Sequence, residues 1–126
     1  MDRLLRIALH LSAAVNIAWG LFALLAPGQA AEILHLDITS GRGSSELRSV
    51  YGGAVATLGS MTVWGLRRPD GASWFELLAY GFFGLCAGRV LSCALDPNKL
   101  YSGGVLVLEL AFGALLFVAS RRFRAV

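Results

Sequence analysis

Residues 74–95 read WFELLAYGFFGLCAGRVLSCAL, an apolar run of helical length that carries Arg89 deep inside it. A helix needs about 20 apolar residues to cross about 30 Å of hydrocarbon, so this run predicts a membrane span. Residues 103–120 form a similar run that carries Glu109. A central Arg costs roughly 2.5 to 3.5 kcal/mol on insertion scales, so each charge is expected to have a partner or a task.

The composition of the whole chain indicates a membrane protein. Of its 126 residues, 56% are hydrophobic and 15% are charged, and the mean hydropathy is +0.66. Four continuous apolar stretches, residues 4–26, 47–66, 74–95 and 103–120, fit helices better than the alternating strands of a barrel. The sequence therefore predicts an all-α fold: one domain, residues 1–126, forming an integral membrane four-helix bundle.

The distribution of cations predicts the orientation of the spans. Outside the spans, seven arginines fall on one side and three cations on the other: Arg3, Arg6, Arg67, Arg68, Arg121, Arg122 and Arg124 against Arg42, Arg48 and Lys99. Cytoplasmic loops carry the excess of Lys and Arg, so both termini are expected in the cytoplasm. Topology and anionic headgroups account for the net charge of +3, and no nucleic-acid partner is expected.

The start of the chain is similar to a signal peptide, since two arginines precede an apolar run. That run is longer than a usual signal core and carries Asn16 and Trp19, so we expect a retained span. Cys86 and Cys93 lie seven residues apart on one predicted helix, roughly 10 Å along its axis, too far to bond each other. No metal-ligand spacing or phosphate loop is present, so no metal or cofactor is expected.

The two intramembrane charges are predicted to lie at the same depth. Arg89 precedes the expected helix end at Asp96 and Pro97 by seven residues, about 10 Å of helix. Glu109 follows Gly103, where the next helix is expected to begin, by six residues, about 9 Å. Antiparallel neighbours joined by a short turn would bring the two side chains face to face near the outer surface.

Other polar residues are expected to gather near this layer and to form a polar pocket open to the outer side. Glu109 and Tyr51 are candidates for acid–base roles, and the candidate ligand contacts are Arg89, Glu46, Asn16, Trp19 and Arg48. Whether Glu109 acts as acid, base or fixed anion depends on its distance from Arg89.

Each candidate also has a structural interpretation. Arg89 and Glu109 are also consistent with an ion pair that locks two helices. Arg89 alone is also consistent with a side chain that extends outward to the interface. Glu46 and Arg48 suit a helix start and a headgroup contact, and Tyr51 suits the membrane edge. Asn16 suits a hydrogen bond between helices.

Small residues recur every four positions on two predicted helices. Gly52, Ala56 and Ser60 lie on the second, and Gly84, Gly88 and Ser92 on the third, which favours close helix packing. These faces leave open a homo-oligomer.

The polar positions resemble a family of small bacterial membrane proteins classed as a domain of unknown function and related to the DoxX-like four-helix proteins. The resemblance rests on Glu46-x-Arg48-x-x-Tyr51-Gly52-Gly53, on Gly88-Arg89 and on Glu109. It implies a four-helix bundle in the bacterial inner membrane and no established activity. More distantly, the layout is similar to that of the sterol-isomerase and sigma-2-receptor group, which hold amphiphilic ligands beside buried carboxylates.

Three functions follow from these patterns. The first is binding of a membrane lipid or another small hydrophobic or amphiphilic molecule, with isomerase-like acid–base chemistry left open. The second is a structural or assembly subunit of a membrane complex. The third is an oligomeric transporter of a small solute or protons, which four spans and a cytoplasmic half poor in polar groups make less favourable.

Overall fold

A computed structural model of the chain describes residues 3–95 and 99–124, which are helical with short connections and contain no strand. The helices are α1 (Arg3–Leu25), α2 (Pro27–Ile33), α3 (Gly41–Leu47), a π-helical segment (Arg48–Ala54), α4 (Val55–Gly65), α5 (Gly71–Leu95) and α6 (Lys99–Arg124). The all-α prediction is confirmed for these residues. The expected helix stop at Asp96 and Pro97 lies outside them.

Among residues 3–95 and 99–124, three helices are long and apolar enough to cross a membrane: α1, α5 and the part of α6 from Gly104 to Arg124. This finding is typical of a multi-pass membrane protein. The stretch 47–66 forms the end of α3, the π-helical segment and α4, so its hydrogen-bond pattern changes along its length. The four-helix bundle and the cytoplasmic termini stay predictions.

The chain divides into two compact units. One comprises Met1–Leu9 and Gly65–Val126, and the other comprises His10–Trp64. Each unit has its own helix packing, described in turn below.

In the unit His10–Trp64, α1 packs antiparallel against the helical stretch formed by α3, the π-helical segment and α4. A Cβ on Gly20 would lie 2.5 Å from the backbone nitrogen of Ala56, and a Cβ on Gly59 would lie 2.7 Å from the carbonyl oxygen of Ala13. Real Cβ atoms do not approach other atoms this closely. The two helices therefore touch through their backbones, the arrangement that small residues permit in membrane helices.

The small-residue face of this stretch differs from the predicted one at its last position. Gly52 and Ala56 face α1, but Ser60 is exposed and donates its hydroxyl to the carbonyl of Ala56 at 2.8 Å. Gly59 takes the place of Ser60 because a strict four-residue step drifts off a helix of 3.6 residues per turn.

The π-helical segment Arg48–Ala54 adds a wide turn to this stretch. Leu47, just before the segment, and Gly52, within it, are both buried although they are five residues apart. A π-type turn closes a hydrogen bond over five residues, so it keeps both positions on the buried face. Such turns are frequent at functional sites, and this one contains the predicted contacts Arg48 and Tyr51.

In the other unit, α5 and α6 form an antiparallel hairpin. Aromatic side chains pair along its length, with ring centroids 5.6 to 6.3 Å apart: Phe75 with Phe123, Phe82 with Phe112, and Phe83 with Phe117. A Cβ on Gly113 would lie 2.7 Å from the ring of Phe83, so a larger residue at this position would clash with that ring. Aromatic burial on this scale holds the two helices in one register.

Candidate functional site

Arg89 and Glu109 form a bidentate ion pair between α5 and α6. The Nε of Arg89 donates to Oε2 of Glu109 at 2.7 Å, and Nη2 donates to Oε1 at 3.0 Å. This is the contact that the matched depths predict. A fork of two parallel hydrogen bonds is the strongest form of the Arg–carboxylate interaction and fixes the orientation of both groups.

The position of the pair follows from the hairpin. Arg89 is six residues before the end of α5 at Leu95, and Glu109 is ten residues after the start of α6 at Lys99. Because the helices run antiparallel, their side chains meet near the end of the hairpin opposite to Arg121, Arg122 and Arg124. The pair thus lies within both membrane-length helices and far from their basic ends.

The two side chains of the pair are mostly buried but reach the molecular surface. The side chain of Arg89 is 19% exposed and that of Glu109 is 12% exposed. In a low-dielectric environment, removing one partner leaves an uncompensated charge, which typically costs 3 to 5 kcal/mol in a protein interior. The pair therefore stabilises the contact between α5 and α6.

Gly84 and Gly88 lie on an exposed surface of α5. A Cβ added at Gly84 or Gly88 would have no heavy atom within 4 Å. Cys86 lies on the other side, buried against α6, with its Sγ 4.0 Å from the carbonyl oxygen of Leu106. Both cysteines are free thiols.

Asn16 and Trp19 lie on α1, in the unit His10–Trp64. Asn16 is 8% exposed, and its Nδ2 donates to the carbonyl of Ser12 at 2.8 Å, within its own helix. Trp19 packs its ring 5.6 Å from the ring of Phe22. The hydrogen bond turns the amide of Asn16 back along α1, and its predicted ligand contact stays a prediction.

Arg48 occupies a structural position in the same unit. Its Nε donates to the carbonyl of Leu24 at 3.2 Å, in the last turn of α1. Carbonyls of a last helical turn lack partners within the helix, and a cation stabilises the negative end of the helix dipole. Arg48 therefore caps α1, whereas its predicted ligand contact remains untested.

Glu46 and Tyr51 flank this cap. Glu46 is exposed at the end of α3, and Tyr51 is half-buried in the π-helical segment. Arg89 and Glu109 belong to the other unit. That all these residues share one pocket stays a prediction.

Sequence reasoning missed a second ion pair on the α5–α6 hairpin. Arg124 donates from Nη2 to Oε2 of Glu76, and the hydroxyl of Tyr80 lies 3.3 Å from Oε1 of Glu76. The signal was available, because the antiparallel register that pairs Arg89 with Glu109 also brings Glu76 near Arg124. The hairpin is thus joined by ion pairs near both ends.

A polar cluster precedes α5. Asp70 accepts from Nε of Arg68 at 2.9 Å and from Nε1 of Trp74 at 3.1 Å. The hydrogen bond from Arg68 holds the pKa of Asp70 below its ordinary value, and the same bond raises the pKa of Arg68. Asp70 and Trp74 also line an open cavity of about 260 Å³ together with Ser73 and Leu77.

Metal ligands are not grouped in the part of the chain that the structure describes. Residues 3–95 and 99–124 contain no cluster of three or more His, Cys, Asp or Glu side chains.

An ion pair inside a hairpin of membrane-length helices places the chain among helical multi-pass membrane proteins. Residues 4–120 match the model of a family described as a domain of unknown function (DUF4345), and the chain belongs to that family. No curated protein and no solved structure matches it.

Proposed function

We propose that this protein binds the polar end of a small amphiphilic molecule at the Arg89–Glu109 pair, in the outer half of the membrane. The observation that carries the proposal is a bidentate ion pair within two apolar helices. Its side chains still reach the surface, since that of Arg89 is 19% exposed and that of Glu109 is 12% exposed. Charged groups within spans are rare and tend to mark ligand or ion sites.

The surroundings of the pair support an amphiphile. On α5, a Cβ on Gly84 or Gly88 would meet no heavy atom within 4 Å, and the side chains of Leu85 and Leu91 are exposed apolar surface. An apolar chain can lie along such a surface while its polar end reaches the pair. Pockets for small molecules commonly combine apolar walls with a few fixed polar groups.

The distances between the two side chains favour binding over acid–base catalysis. Both oxygens of Glu109 accept from the guanidinium of Arg89, at 2.7 and 3.0 Å. A general base must accept a proton from its substrate, and both oxygens of this carboxylate are already engaged by Arg89. Glu109 thus serves as a fixed hydrogen-bond acceptor.

Small-molecule mass spectrometry after gentle purification tests this proposal. The comparison is between the native protein, Glu109→Gln and a matched control, Glu76→Gln, which breaks the other ion pair of the same hairpin. We expect a copurifying amphiphile that is lost from Glu109→Gln and kept by Glu76→Gln. Equal recovery from all three proteins would contradict the proposal.

The second candidate function is structural, and the bidentate geometry favours it, since the same two bonds join α5 to α6. In that case the pair stabilises a subunit that assembles with itself or with a larger complex. Replacing both residues by apolar ones would then leave stability and assembly intact. Loss of a bound amphiphile from a stable double variant would support binding instead.

A further inference from the structure

The charge of the Arg89–Glu109 pair restricts what it can bind. This step rests on the proposed function and concerns the same site. One guanidinium and one carboxylate meet at 2.7 and 3.0 Å, so the pair itself has no net charge. An added anion or cation would bring an uncompensated charge into a poorly solvated site, where such a charge is strongly disfavoured. A neutral polar group avoids that cost.

The hydrogen-bonding capacity of Glu109 restricts the ligand further. Each carboxylate oxygen can accept more than one hydrogen bond, and the fork from Arg89 supplies one to each. The Glu109 side chain is 12% exposed, so an oxygen can be reached from outside. A ligand gains from Glu109 only by donating a hydrogen.

A hydroxyl meets both requirements at the smallest desolvation cost. It is neutral, and it donates one hydrogen, whereas an amide carries a further carbonyl that also needs a partner when buried. Ethers and esters are neutral but have no hydrogen to donate. The apolar surface of α5 beside Arg89 calls for a hydrocarbon body on the same molecule.

We infer that the ligand of the Arg89–Glu109 pair is a neutral amphiphile that ends in a hydroxyl group, a long-chain alcohol, whose O–H donates to Glu109. The guanidinium of Arg89 orients that carboxylate through its two hydrogen bonds. The ligand does not carry a carboxylate, phosphate or ammonium at this end.

Three probes with the same hydrocarbon chain and different ends test the inference: 1-hexadecanol, its methyl ether and hexadecyl sulfate. Each is added to the native protein in lipid nanodiscs, and retention is measured by native mass spectrometry. A hydrogen bond to a charged group corresponds to about a tenfold difference in affinity, so the alcohol is expected to be retained about tenfold more strongly than the ether. The sulfate is expected to bind more weakly than the alcohol.

The variant Glu109→Gln provides the sharper comparison, because it leaves Arg89 without its counter-charge. The order of the two polar probes should then reverse, with hexadecyl sulfate retained better than the alcohol. Glu76→Gln, as the matched control, should keep the native order. The native protein alone also decides the matter if Glu109→Gln does not fold.

Two results would overturn the inference while leaving the proposed function in place: equal retention of alcohol and ether, or strongest retention of the sulfate by the native protein. Retention of no probe above that of Arg89→Met/Glu109→Met, with no amphiphile copurifying, would overturn both.

Discussion

The Nε of Arg89 lies 2.7 Å from Oε2 of Glu109, so two charges within membrane-length helices neutralise each other across the α5–α6 hairpin. Replacing Arg89 by Met leaves the carboxylate without its cation. We expect this change to lower the free energy of unfolding by about 3 to 5 kcal/mol, because the remaining charge is poorly solvated. Denaturant titration in mild detergent measures the loss.

The double variant Arg89→Met/Glu109→Met should recover most of that stability, since it removes both charges at once. Arg124→Met is the comparison, because its side chain is 46% exposed and its partner Glu76 is 19% exposed. Its effect should be clearly smaller. An equal loss from Arg89→Met and Arg124→Met would show that burial does not set the energetics of these pairs.

Substitution by Ala is expected to have opposite effects on stability at Gly20 and at Gly81. A Cβ on Gly20 would lie 2.5 Å from the backbone of Ala56, whereas a Cβ on Gly81 has open space. Gly20→Ala should therefore destabilise the protein by about 1 to 3 kcal/mol through overpacking. Gly81→Ala should be neutral or stabilise it by up to about 1 kcal/mol, because Ala favours helix. Thermal unfolding of both variants in one detergent checks this, and similar shifts in both would contradict the close contact.

The carboxyl group of Asp70 is expected to make the stability of the protein fall at low pH. The hydrogen bond from Arg68 is the main cause that lowers the pKa of Asp70 in the folded protein, and the bond from Trp74 adds to it. A lowered folded-state pKa contributes stability that is present above the unfolded-state pKa and is lost as pH falls through the folded-state value. Both side chains are exposed, so the contribution is small.

A carbon-detected NMR titration of the Asp70 carboxyl group measures this pKa directly. Arg68→Gln should raise it toward the ordinary value, and Trp74→Phe should raise it by less, following the order of the two causes. A larger rise for Trp74→Phe would contradict the assignment.

Arg48 stabilises the last turn of α1 through its bond to the carbonyl of Leu24. Arg48→Ala should cost roughly 0.3 to 1 kcal/mol, the range for a cation at a helix C-terminus. Amide hydrogen exchange should accelerate in the last turn of α1 and stay unchanged in α5. Arg42→Ala, a change of an exposed arginine in α3, should leave the exchange of α1 as it is.

The sequence predicts three membrane-length helices that the structure shows, α1, α5 and α6, because continuous apolar runs and the residues that interrupt them act locally. It also predicts the contact of Arg89 with Glu109, since two antiparallel helices joined by a short turn bring residues on either side of that turn opposite each other. The same logic applied further along the hairpin would have found Glu76 and Arg124.

The π-helical segment Arg48–Ala54 could not be predicted in this way. Its residues, including Gly52 and Gly53, favour no particular hydrogen-bond register, and the five-residue step from Leu47 to Gly52 follows from packing against α1. The cap formed by Arg48 on Leu24 depends on the same packing. Tertiary contacts thus set the positions that the local pattern left open.

The closeness of Arg89 and Glu109 along the chain also bears on how the protein enters the bilayer. If α5 entered alone, it would carry an unpaired guanidinium into hydrocarbon, at a cost of roughly 2.5 to 3.5 kcal/mol for a central position. Entry of α5 and α6 together lets the carboxylate travel with the cation. Biogenesis of this chain is therefore favoured when the translocon releases the two helices as one unit.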